Sequence, residues 1–155
     1  MTTGELLRIA GPGAVLCLSA LTACSAAPDP IPLEAVGFRG LLTGAASVTA
    51  ADTVCLSVAT SGGEADPSPT IARAVQAKFP HVLLRAACRA MSPEPPLVRL
   101  VSVRTLDDST VDVLGETVAE HLQRHHCTVN KRTGVAACTN MAPENAADSA
   151  HVPPT

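Results

Sequence analysis

Apolar and polar residues alternate along most of the second half of the chain, and before it they recur twice at helical spacing. Val54, Leu56 and Val58 fall on one side of a period-two pattern, with Thr53, Cys55 and Ser57 on the other. Thr53–Ala59 therefore predicts a half-buried strand. Asp66-Pro67-Ser68-Pro69 then reads as a helix start. Ser68 or Asp66 can accept from the free N–H groups of the first turn, and proline at the first helical position lacks only a hydrogen that would go unbonded there. Ile71, Val75 and Phe79 follow at steps of four, an apolar stripe that reads as core packing, and Pro80 stops it. Val82, Leu84 and Ala86 alternate against Leu83 and Arg85 in a second strand ending near Cys88.

After the proline-rich break Ser92 to Pro96 comes a meander: Leu97–Leu106, a turn at Asp107-Asp108-Ser109, Thr110–Leu122, Gln123–Asn130 and Val135–Asn140. Gly115, inside one of these runs, predicts a bulge or bend. Upstream, Glu34–Ala46 carries Val36, Leu41 and Leu42 on one side. It predicts a helix that its three glycines weaken by roughly 1 kcal/mol each relative to alanine. The order is helix, strand, helix, then four or five strands. It predicts an α+β fold, with one or two helices packed on one face of a mostly antiparallel sheet that can curve.

Composition changes this picture in one respect. Of 155 residues 26 are alanine, none is Trp or Tyr, and the only rings of Phe type are Phe38 and Phe79. Such a core is thin, and six cysteines point to disulfide staples. The net charge of −3 and the missing aromatics argue against nucleic-acid binding, which uses a basic face and stacking rings.

The first residues read as an address. Arg8 is offset by Glu5, and after Gly11-Pro12-Gly13 the apolar run Ala14 to Leu21 is too short to span a bilayer. It ends in Leu21-Thr22-Ala23-Cys24. This tetrapeptide resembles the lipobox of bacterial lipoproteins. The resemblance implies cleavage of a signal peptide (residues 1–23) and acylation of Cys24, which becomes the new N-terminus. Two or three acyl chains, at about 0.8 kcal/mol per buried CH₂, hold a protein stably on a membrane. An ordinary secretory peptide, with Cys24 incidental, is the alternative. Ser25 follows Cys24, where Asp is absent, which in the enteric sorting pattern implies the outer membrane, facing the periplasm. Residues 24–33 are then a lipidated, proline-rich tether, 34–141 the domain, and 142–155 a tail whose composition predicts disorder. Cys17 leaves with the signal peptide.

Four cysteines remain: Cys55, Cys88, Cys127 and Cys138. If Lys131-Arg132-Thr133-Gly134 form a four-residue loop, with Gly134 left-handed, Asn130 faces Val135 and Cys127 faces Cys138. With Asn130–Val135 a hydrogen-bonded pair, the cysteines form a closely spaced, non-hydrogen-bonded one. This gives Cys127–Cys138 and, by elimination, Cys55–Cys88. The second bond needs a bulge or turn before Cys88, because Cys55 lies opposite the Val/Leu stripe whereas Cys88 shares parity with Val82 and Leu84. From the cysteine-bearing strand to the meander, residues 53–140 resemble small envelope lipoproteins. They share their element order with helix-plus-curved-sheet scaffolds of the cystatin-like and nuclear-transport-factor-like kind.

Candidate chemistry is sparse. His121, His125 and His126 beside Cys127 could hold zinc or copper, since His121 and His125 would share a helix face. Read as a strand, His121, His125 and Cys127 share parity and His126 opposes them, leaving histidines exposed on a sheet. Asp107, Asp108 or Asp112 could serve such histidines in catalysis, but no motif places a nucleophile and none implies a cofactor. Six bases and one acid lie between Arg73 and Arg104, against five acids and no base between Asp107 and Glu120. Such a bias could dock the domain or simply line solvated faces. The expected function is a membrane-anchored, non-catalytic binding or interaction module of the cell envelope, with the lipid anchor and an envelope protein as partners. A metal-handling lipoprotein and an envelope enzyme on a cone-shaped fold are the alternatives.

Overall fold

The computed structural model describes residues 30–141. Cys24, the signal segment, residues 24–29 of the tether, and the tail 142–155 lie outside the described residues. Helix α1 (Leu33–Gly40) continues into a π-helical turn (Leu41–Ala45). Strands β1 (Val54–Thr60) and β2 (Gly63–Ala65) follow, then α2 (Pro69–Gln76), β3 (Val82–Leu84) and the single turn α3 (Arg85–Cys88). Strands β4 (Leu97–Thr105), β5 (Thr110–Val118), β6 (Leu122–Asn130) and β7 (Ala136–Met141) complete the order. They form one open seven-stranded sheet, β2-β1-β4-β5-β6-β7, with β3 paired to β1. β1 runs parallel to β3 and β4, and every other pairing is antiparallel. The fold is α+β, as the pattern predicts.

Helix α2 begins where expected. The Ser68 hydroxyl accepts from Ile71 N at 3.4 Å, and Pro69 opens the helix. Val75 and Phe79 enter the core with Phe38, Leu41 and Leu42 from the first helical segment and Val54, Leu56, Val98, Leu100, Val111, Val113 and Val129 from the sheet. The helical segment survives its glycines because they are contact points. A Cβ on Gly40 would lie 2.3 Å from Val129 Cγ2, and one on Gly115 would lie 2.3 Å from Leu41 Cδ1. Small residues here let the helix sit almost on the sheet, so packing recovers what helix propensity loses. The bulge is on the partner strand. The β4–β5 register shifts between Leu100 and Ser102, and Leu100 faces Gly115.

Two predicted strands end early. Thr110–Leu122 stops at Val118, and Ala119 to His121 turn the chain into β6. Val82–Ala86 stops at Leu84, where α3 begins; the Ala86 N–H donates to Asp66 Oδ1 at 3.1 Å. That helical turn rotates Cys88 off the strand's parity. Cys55 and Cys88 are bonded, with Cα atoms 6.1 Å apart, and sit with Leu97 in a small apolar cluster of their own. Cys127 faces Cys138 directly, with Cα atoms 4.1 Å apart, and these two are bonded as well. Gly134 is left-handed, φ +71°. The turn closes half of the expected Asn130–Val135 pair: Asn130 N donates to Val135 O at 2.9 Å, but Gly134 N is the donor to Asn130 O.

Candidate functional site

The sheet is asymmetric. Its inner face carries the core residues, and its outer face carries a ladder of ions fixed by the strand register. Arg99 on β4 is paired with Ser57 on β1 and Glu116 on β5, and Glu116 is paired in turn with Arg124 on β6. The Glu116 carboxylate lies between both guanidinium groups, accepting from Arg124 Nε at 3.0 Å. Glu64 from β2 accepts from Arg85 Nε at 3.0 Å and Arg89 Nη2 at 2.9 Å, and these bonds, Arg85 first, hold its carboxyl below the usual range. One row lower, Asp112 accepts from Arg104 Nε at 2.8 Å and contacts the His126 ring; its carboxyl is lowered, chiefly by that ring. The ends of the basic and acidic stretches that lie on β4 and β5 are therefore neighbours in register, Arg99 with Glu116 and Arg104 with Asp112. Asp112 and Glu116 are buried beneath these arginines, whereas Asp107, Asp108 and Glu120 of the same acidic stretch are exposed.

A cleft of about 670 Å³ opens at the end of the sheet where β1 and β4 begin and β5 ends. Its apolar wall includes Val48, Val54, Leu97 and Val118, and its polar rim includes Thr117, Glu120, His121 and Gln123. The volume is that of a small-molecule site. Ser47, on the rim, holds φ +53°, a conformation uncommon for any residue but glycine and a recurrent mark of functional loops. Asp52, also on the rim, accepts from Thr49 N at 2.7 Å and Thr49 Oγ1 at 2.8 Å, which lowers its carboxyl, the backbone bond first.

The histidines are parted. His121 lies in the turn after β5 and lines the cleft. His125 is 1% exposed on the inner face, so it is not the exposed strand histidine expected from the alternation. Its Nε2 is 2.8 Å from Thr117 Oγ1, beneath the cleft lining, and its Nδ1 is buried without a partner. His126 points to the outer face and Asp112. Strand parity thus separates the metal candidates. Among the described residues no three His, Cys, Asp or Glu side chains are grouped to hold a metal ion. Cys127 and Cys138 are spent on each other.

Thr117, Glu120 and the loop bearing Ser47 and Asp52 were not legible as site residues. The polar stretch from Thr49 to Thr53 signals a loop, but nothing local tells that it faces the β5–β6 turn. No protein-family model matches the chain, and no curated protein or solved structure is significantly similar to it.

Proposed function

We propose that the protein is a lipid-anchored component of the bacterial cell envelope, on the outer membrane facing the periplasm, whose domain is a non-catalytic binding module. Cys24 is the anchor, and the cleft is the site that receives a ligand or a partner segment. One observation carries the reading: the chain joins the fold at the end of the sheet opposite the cleft. Leu33 opens α1 beside the end of β1, where Glu34 shares a shallow cavity with Val58 and Ala59. The cleft lies by Thr53, Leu97 and Val118, at the far ends of the same strands. A tether leaving from residue 33 would point the cleft away from the bilayer.

Two further features support the reading. Both cysteine pairs are disulfides, which persist in oxidising compartments. Two polar groups of the cleft are held by neighbours, Asp52 by Thr49 and Thr117 by His125, an arrangement suited to holding a shape. No helix among the described residues is long and apolar enough to cross a membrane, so attachment in this reading depends on Cys24.

The test is photo-crosslinking in cells. A photoreactive residue at Val118 or Ala46, both in the cleft, should give a discrete adduct, and one at the exposed Leu106 should not. Equal labelling from all three positions, or none from the cleft, contradicts the proposal.

A further inference from the structure

We infer that the end of the domain nearest the tether docks on anionic phospholipid headgroups and so holds the cleft outward. The inference rests on the anchor reading above and adds a second, independent contact with the bilayer. It starts from charges that nothing neutralises. Of the ten lysines and arginines in residues 30–141, Arg85, Arg89, Arg99, Arg104 and Arg124 pair with carboxylates. Arg39, Arg73, Lys78, Lys131 and Arg132 form no ion pair among the described residues; Arg73 donates to Pro69 O on its own helix, and the other four meet around one shallow cavity of about 50 Å³ with Ile31, Val36, Thr133 and Gly134. No acid lines it. The neighbouring β4–β5 turn does carry Asp107 and Asp108. The Asp107 carboxylate is bonded within its own turn to Ser109 and Thr110, and Lys131 Nζ donates to the Asp107 carbonyl oxygen at 2.7 Å.

The occupant follows from where this cluster sits. Ile31 belongs to the tether itself and is 47% exposed, and Val135, next to Gly134, is 70% exposed. Six residue steps separate Cys24 from Pro30, a reach of at most about 22 Å when fully extended. An acylated Cys24 therefore keeps the four bases within a short distance of the headgroup layer, where each is worth about 1 kcal/mol on an anionic surface. Basic groups beside exposed apolar ones are the pattern that seats a domain at such an interface. The cleft lies at the other end of strands such as the nine-residue β5, about 27 Å away along the strand.

The test uses the chain from Cys24 to Thr155 with Cys24→Ser, titrated with vesicles of phosphatidylcholine alone or mixed with an equal part of phosphatidylglycerol. Binding is expected only to the mixed vesicles and should weaken as salt is added. Lys78→Glu with Arg132→Glu, both exposed, removes two positive charges and adds two negative ones, so it should lower the partition coefficient by roughly several hundredfold, about fivefold per unit of charge. Lys78→Gln with Arg132→Gln, which removes two charges and adds none, should lower it on the order of 25-fold, and Arg89→Gln, at the end of α3 and paired with Glu64, should change nothing. No preference for phosphatidylglycerol, or unchanged binding in both double variants, overturns the inference. Acylation of Cys24 in cells is read separately. Its absence removes the anchor and leaves the vesicle result standing, while its presence with no headgroup binding removes only the docking.

Discussion

Gly40 shows how a residue can mislead when its neighbours in space are unknown. By propensity it weakens a helix, and replacing it with alanine should help by about 1 kcal/mol. In the fold an added methyl would meet Val129, whose branched side chain has its own Cβ only 3.3 Å from the new atom and cannot swing clear. Gly40→Ala should therefore destabilise the domain by about 1–3 kcal/mol. Gly62→Ala, with nothing within 4 Å, should be near neutral. Urea unfolding of the two variants checks the pair. Phe38 makes the complementary point. It is fully buried and one of only two aromatic residues, so Phe38→Ala should cost about 3–5 kcal/mol, a large share of what a small domain has. His125 was legible as a candidate and its burial was not. Alternation gives the face of a strand residue, but which face is covered depends on helices tens of residues away.

Among the elements, the meander and α2 could be read closely because their signals are local: alternation, a capping serine, a stopping proline. The Cys127–Cys138 bond was legible for the same reason, since one hairpin fixes its register. Cys55–Cys88 depended on α3, a single helical turn that no periodicity marks. Loop-closure entropy assigns the two bonds about 3 and about 4 kcal/mol for separations of 11 and 33 residues. Cys127→Ala with Cys138→Ala should lower unfolding stability by the smaller amount, and Cys55→Ala with Cys88→Ala by the larger. The ion ladder sets the acid limit. Glu64 and Asp112 have carboxyls held below their usual range, so as pH falls the unfolded chain takes up their protons first. The stability they contribute is present above about pH 4 and is lost as pH drops through their lower native values. Denaturant midpoints recorded from neutral pH down to about pH 3 should fall along that limb, and Asp112→Asn should flatten it.

At the scale of the whole molecule, two ends of one sheet are chemically different. One bears Leu33, where α1 begins, and gathers four unpaired bases, and the other opens a cleft. Neither end could be seen in the sequence, because each assembles turns from distant segments: residues 31, 78 and 132 at one, residues 47, 97 and 118 at the other. The charge bias along the chain was visible, but not that Arg99 and Arg104 on β4 meet Glu116 and Asp112 on β5. In the proposed reading an acylated Cys24 gives the two ends their orientation, and the intact mass of the protein recovered from cell membranes tests that anchor most directly. The account predicts a chain that begins at Cys24, carries a diacylglyceryl mass, and leaves Cys55, Cys88, Cys127 and Cys138 unreactive to alkylation before reduction. A chain recovered from the soluble fraction with an N-terminus other than Cys24 and no lipid mass would contradict it.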